Sequence, residues 1–326
     1  MPENKPLAIV IPAYKAKFLE AALGSILAQT IPSFRVYVGD DCSPENIEQI
    51  CNPYSNHLDL IYNRFEDNIG QTSLVKHWNR CIRLSSEPWV WLFSDDDIME
   101  PECVETFLDT RDRLQDPYTV YRFNTLEIDT NENVTRINPP HPQFENGIRF
   151  AYHRLISMRA SYVSEFIFSR YVFERTGGMI DFPMAWCTDD ASLIAFAGDD
   201  QIVTMQGPKV HWRNSGINIS SKNTGYQDQK IEASFQYIQW LNHFFAGFEG
   251  TDLEISIEKW NQCQKNWIYR QLEIVSPVSI KNIFKLANRF DEVWNDGSLK
   301  KLLKIFFINL KFLFQKEAAR LLGRRS

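Results

Sequence analysis

The chain has 326 residues, 44 % hydrophobic and 13 % aromatic, enough for a sizeable core and too apolar for disorder by composition. Lys and Arg number 35 against 41 Asp and Glu, a formal charge of −6, which argues against a nucleic-acid binder and its basic excess. Residues 298–326 carry +7 and residues 1–297 carry −13, so an acidic body precedes a basic tail.

Leu7–Ile11 is a short, branched apolar run, the form of a strand buried on both faces. Phe18–Ala28 follows as a helix, with Leu19, Leu23, Ile26 and Leu27 at helical spacing. Phe34–Val38 is a second strand, Glu45–Cys51 a short helix and Leu58–Tyr62 a third strand. Thr72–Leu84 is helical again, Trp89–Phe93 is a fourth strand, and Pro101 opens a helix running to Leu114. This alternation predicts a parallel α/β sheet. Beyond Tyr118 it breaks. Thr119–Ile128 and Val134–Ile137 read as a hairpin, Ile167–Thr176 ends in Gly177-Gly178, Asp190–Phe196 is a short helix and Val203–Trp212 one more strand. From Ser220 the pattern is helical, over 228–247, 253–275, 279–294 and 299–322. The expected division is 1–222 and a helical region 223–326.

The six Cys form no C-x-x-C pair, which favours a reducing compartment over a disulfide scaffold or a structural zinc site. Leu7–Ile11 is too short for a signal-peptide core, and no run reaches the ~18 apolar residues of a membrane span. A cytoplasmic protein is expected, with its basic end open to a peripheral position on the inner membrane face.

Ligands of an open parallel sheet bind beyond the carboxyl ends of its strands. Pro12-Ala13-Tyr14 follows strand one, Asp40-Asp41-Cys42-Ser43 strand two and Ser94-Asp95-Asp96-Asp97 strand four. Crowded carboxylates repel, so the cluster calls for a cation or for hydrogen-bond donors from a ligand. Oxygen-only ligands suit Mg²⁺ or Mn²⁺, which bridge to substrate phosphates. Each run also reads as a helix N-cap or a solvated acidic helix entrance.

Taken in order, Ile9-Val-Ile-Pro-Ala-Tyr14, Val38-Gly-Asp-Asp-Cys-Ser43, Asn68-Ile-Gly70 and Trp91-Leu-Phe-Ser-Asp-Asp-Asp97-Ile-Met-Glu-Pro101 resemble the glycosyltransferase family 2 domain. Phe166-Ile-Phe-Ser-Arg170, Phe173-Glu-Arg-Thr-Gly-Gly178 and Trp186-Cys-Thr-Asp-Asp190-Ala-Ser-Leu193 are similar to its acceptor-side half, and the resemblance covers residues 6–220. It implies the GT-A fold, a Rossmann-like mixed sheet flanked by helices, here with a C-terminal helical extension. It further implies a nucleoside diphosphate-sugar donor, with UDP the commonest carrier, a divalent cation, and a saccharide or lipid-linked saccharide acceptor.

Carried over by position, Pro12, Ala13 and Tyr14 line the base and ribose, Asp41 accepts from the base with Asp40 beside it, and Asn68 and Gly70 belong to the same donor side. The acidic triplet matches the family's metal-binding motif, which puts Asp96 and Asp97 on the ion and Asp95 nearer the ribose or sugar. Ser94 stands where the commonest form has Asp, leaving the register within the triplet open by one residue. Trp78-Asn79 replaces the usual Arg-Asn, so a phosphate contact from that Arg is not expected. Asp190 falls at the general base, with Asp189 in place of the usual Glu. His211 reads as a metal ligand or a packed residue, and Arg213 as a phosphate contact or a structural one.

The implied activity is inverting transfer of one sugar to an acceptor hydroxyl in bacterial polysaccharide or glycoconjugate assembly. A catalytically inactive carbohydrate-binding or scaffold protein on the same fold is the alternative. A nucleotidylyltransferase is disfavoured because Pro12–Lys17 lacks the Gly-rich loop that holds a triphosphate. A processive synthase is disfavoured because Gln236–Trp240 lacks its Arg. The basic tail places Leu299, Leu302, Leu303, Phe306, Leu310, Leu313 and Phe314 on one apolar face, suited to an anionic membrane surface or to packing against other helices.

Overall fold

The computed structural model describes residues 5–115, 118–218, 225–246, 255–275, 280–294 and 306–308. The described residues divide into two compact units. One runs to Asp181 and resumes over Thr188–Asn218; the other takes Phe182–Cys187 and the described residues beyond Asn218.

The first unit opens with β1 (Leu7–Ala13), α1 (Leu19–Leu27), β2 (Phe34–Asp40), α2 (Ile47–Cys51), β3 (Leu60–Arg64), α3 (Leu74–Ile82) and β4 (Trp89–Leu92). The order β3-β2-β1-β4 is parallel throughout, as the alternation predicts. Leu7 to Ile11 are fully buried, and each such branched side chain contributes about 1.5–3 kcal/mol. Strand β1 runs two residues beyond the apolar run, because Pro12 and Ala13 still pair with Gly39 and Asp40. The Asp40-Asp41-Cys42-Ser43 run is not the cap of α2. Asn46 does that, its side chain accepting from Gln49 N–H.

The chain continues through β5 (Ile98–Met99), α4 (Cys103–Leu114), β6 (Val120–Ile128), β7 (Val134–Ile137), β8 (Phe144–Asn146), α5 (Gly147–Leu155), β9 (Phe166–Ser169), α6 (Arg170–Arg175), α7 (Thr188–Ala197) and β10 (Gln201–Arg213). Here the sheet becomes mixed. Strand β9 inserts antiparallel between β4 and β6, β10 runs parallel to β6, and β5 pairs antiparallel with β10. Residues 167–176 thus form a strand end and a helix, and the hairpin of β6 and β7 is present. Trp91 fastens the seam: its indole stacks on Phe123 at 5.2 Å and its Nε1–H donates to Ser164 O at 2.8 Å.

In the second unit are α8 (Gln227–Phe244), α9 (Ile257–Val275) and α10 (Ile280–Trp294). Its core is aromatic. Tyr237 meets Phe182 at 6.2 Å and Trp267 at 5.5 Å, and Phe235 meets Phe290 at 5.4 Å. The helix expected over 299–322 lies outside the described residues except for Phe306–Ile308, which are helical.

Candidate active site

Strands β1, β2 and β4 end at one edge, and backbone hydrogen bonds carry that alignment into the loops. Asp41 N–H donates to Ala13 O at 3.0 Å and Phe93 N–H to Val10 O at 2.9 Å. Tyr14, 39 % exposed, therefore stands open at the edge while Ala13 beneath it is buried. Ser43 Oγ donates to Tyr14 O at 2.6 Å, and the Tyr14 and Lys15 amides donate to Asp95 Oδ2 at 3.2 and 3.3 Å.

The two adjacent acids after β2 face different ways. Asp40 is fully buried, accepting from Ser43 N–H at 2.7 Å and from Tyr62 Oη and Arg64 at 2.6 Å. It holds the turn. Asp41 accepts from the amides of Ile69 at 3.2 Å and Gly70 at 2.9 Å and from Arg80, with His77 Nδ1 at 3.2 Å. Burial raises its carboxyl above the ordinary value while Gly70 N–H and Arg80 oppose that rise. Asp41 thus ties the Asn68–Gly70 loop, where Asn68 Oδ1 accepts from Gln71 N–H at 3.0 Å, to the end of β2.

The triplet Asp95-Asp96-Asp97 does not converge, because successive side chains leave the backbone in different directions. Asp95 faces the β1 loop. Asp97 is fully buried and spends both oxygens inside the fold, one on Ser164 Oγ and one on Arg213 N–H at 2.8 Å. Asp96 stays partly open; Ser215 and Asn218 touch only its Oδ2, at 3.4 and 3.2 Å. Burial, with repulsion from Asp97 and Asp95, pushes the Asp96 carboxyl up to about 8. A carboxylate so poorly compensated fits a cation. Among the described residues no three His, Cys, Asp or Glu side chains gather as a metal cage. A hard divalent ion held by one or two carboxylates completes its shell from substrate phosphates and water.

Three expected site residues are committed elsewhere. Asp97 closes the β4–β10 junction, as described. Arg213 is fully buried, donating to Asp96 O at 2.7 Å, Asp129 O at 3.2 Å and Glu132 at 3.1 Å, and so braces the turn after β6. His211 Nε2 lies 3.0 Å from Glu100 Oε1. Of the expected metal set, Asp96 alone keeps an open carboxylate.

Asp189 and Asp190 lie in the first turn of α7, where the helix dipole favours negative charge. Asp189 is half-buried, and burial with Asp190 beside it pushes its carboxyl up to about 7. Asp190 is 1 % exposed, and both its oxygens accept from Arg154 Nε–H, at 2.8 and 2.9 Å. No motif in the sequence points to Arg154, Arg80, Lys15, Ser215 or Asn218 as part of the site. Arg154 sits on α5, whose signal was Asn146 as N-cap followed by Ile148, Ala151 and Leu155 at helical spacing.

The glycosyl transferase family 2 model matches residues 8–176, just over half of the chain. The chain belongs to glycosyl transferase family 2. An uncharacterised glycosyltransferase of Haemophilus influenzae is 28 % identical over 135 residues, 41 % of this chain and 44 % of the relative, so the match spans less than half of either. TarS residues 1–349 of S. aureus in complex with UDP-GlcNAc superposes with a TM-score of 0.60 at 16 % identity, covering 95 % of this chain and 92 % of that one. The same fragment with UDP gives 0.55 at 16 % identity, covering 95 % and 91 %. At that identity the likeness is one of fold, and it agrees with the mixed sheet flanked by helices and the helical C-terminal region.

Proposed function

We propose that the chain is an inverting, metal-assisted transferase that moves one sugar from a nucleoside diphosphate donor, a UDP-sugar, to the hydroxyl of a saccharide or lipid-linked saccharide in bacterial polysaccharide or glycoconjugate assembly. The observation that carries the reading is the poorly compensated Asp96 carboxylate at the strand edge that also holds Tyr14 and Asp95. That the S. aureus relative of like fold binds UDP-GlcNAc supports the choice of donor.

In this reading Pro12, Ala13, Tyr14 and Asp41 receive the base and ribose, and the Asn68–Gly70 loop closes that side. Asp95, bonded to the Tyr14 and Lys15 amides, keeps the β1 loop in place beside the ribose. Asp96 would hold a Mg²⁺ or Mn²⁺ ion, whose charge offsets the negative charge of the diphosphate leaving group. Asp190 takes the proton of the acceptor hydroxyl as its oxygen attacks the anomeric carbon and the bond to the diphosphate breaks on the opposite side. A positioned general base contributes about 10²–10⁴ in rate. Asp189 is the neighbouring carboxylate of the same turn.

Among the described residues no helix is long and apolar enough to cross a membrane. The amphipathic 299–322 segment would instead lie on an anionic surface, each basic residue contributing about 1 kcal/mol at low salt. Co-sedimentation with phosphatidylserine vesicles, lost on truncation after Gly297, tests this.

The test of function is a thermal-shift screen of UDP-GlcNAc, UDP-glucose and GDP-mannose with and without Mn²⁺. A ligand at 100 times its Kd stabilises by about 2.7 kcal/mol. A Mn²⁺-dependent rise with one nucleotide sugar is expected; no rise with any of them overturns the reading.

A further inference from the structure

Helix α5 packs on α7 at Gly147, where a Cβ would stand 3.2 Å from Ile194 Cγ2, closer than ordinary contact. This approach brings the last turn of α5 to the first turn of α7. There Arg154 is anchored at both ends of its guanidinium: Nη1 donates to Arg159 O at 2.6 Å, and Nε–H reaches Asp190. We propose that Arg154 is a positioning residue of the transfer reaction, its Nε–H bridging the two carboxylate oxygens of Asp190 at 2.8 and 2.9 Å and so fixing the orientation of the group that receives the acceptor proton. The proposal rests on Asp190 being the base.

The charges around the pair make the role specific. Glu165, fully buried nearby, is pushed up to about 8 by burial despite Arg122 and Arg154, so it carries its proton at neutral pH. Arg122 and His153 both turn to Glu145, Arg122 by a buried ion pair and His153 at 2.8 Å, and Arg159 Nε stands 3.8 Å from the same carboxylate. Asp190 is the carboxylate that pairs with Arg154, and Asp189 is the other carboxylate facing the pair from α7. An arginine so placed holds the carboxylate in one rotamer, because its planar guanidinium is itself fixed at Arg159 O.

The experiment measures UDP release from UDP-GlcNAc, with water as acceptor and Mn²⁺ present, for the full chain and for Arg154→Gln, Arg154→Lys, Asp190→Asn and the Arg154→Gln/Asp190→Asn double variant, with melting curves for each. Arg154→Gln is expected to lower kcat about 10–100-fold and to leave donor KM within about twofold. Arg154→Lys keeps a cation without the planar fork and is expected to recover only part of kcat, which serves even where the Gln variant fails to fold. The double variant is expected to match Asp190→Asn alone. A donor KM that rises in step with the fall in kcat, full activity in Arg154→Lys, or an equal loss from Arg154→Gln in the Asp190→Asn background overturns the proposal. Full activity in Asp190→Asn instead overturns the base assignment, and no UDP release by the unaltered chain overturns the proposed donor chemistry.

Discussion

Asp41 Oδ2 accepts a hydrogen bond from the Gly70 backbone N–H at 2.9 Å, joining the end of β2 to a loop 29 residues further along the chain. The approach is so close that a Cβ at position 70 would collide with that same oxygen. Gly70→Ala should therefore destabilise the chain by about 1–3 kcal/mol, the range for forcing an extra methyl into a packed site. It should also weaken nucleotide binding, measured by titration calorimetry with UDP. Wild-type UDP affinity in a folded Gly70→Ala variant would separate the Asp41–Gly70 junction from the base site.

His77 lies beneath the same junction, buried against Phe65 at 5.9 Å and beside Asp41 and Arg80. Burial, then the Arg80 charge, pushes its imidazole down to about 4. The unfolded chain takes up that proton near 6.5, so it binds more protons than the folded chain between pH 6.5 and about 4. The contribution of neutral His77 is present above pH 6.5 and is lost as pH falls toward 4. Between pH 7.5 and 5 the unaltered chain should lose about 2 kcal/mol more stability than His77→Gln, read from urea unfolding at the two pH values. Parallel losses in both would place the acid lability elsewhere.

The parallel half of the sheet was legible because each strand there is a short apolar run closed by a polar turn, so strand and edge loop could be read together. The acids at that edge were legible as a group but not as individuals. Asp40 and Asp41, or Asp95, Asp96 and Asp97, are chemically alike in sequence, and only the fold decides which one Tyr62, Ser164 or the Arg213 amide occupies. For Arg213 the sequence leaves a phosphate contact and a structural role equally open, because nothing local shows that Asp129 and Glu132 will surround it. Arg154 was invisible for a similar reason: its partner Asp190 is 36 residues away, and α5 carries polar residues between its apolar positions.

Asp96→Asn separates the two tasks of the triplet. It removes a carboxyl whose ionised form burial, Asp97 and Asp95 all disfavour, so the metal-free chain should melt about 2–4 °C higher, the equivalent of about 1 kcal/mol in a domain of this size. The same change should abolish the Mn²⁺-dependent part of nucleotide-sugar binding. Differential scanning fluorimetry in EDTA and in Mn²⁺ reads both. Unchanged Mn²⁺ dependence in Asp96→Asn would move the ion to another carboxylate of the edge.

The most direct test of the transferase account compares the unaltered chain with Asp190→Asn for UDP release from UDP-GlcNAc and, separately, for UDP-GlcNAc affinity. The substitution keeps the side chain's size and removes its proton acceptor. Turnover should fall by about 10²–10⁴ while the donor Kd stays within about twofold. Turnover by Asp190→Asn equal to that of the unaltered chain would contradict the account.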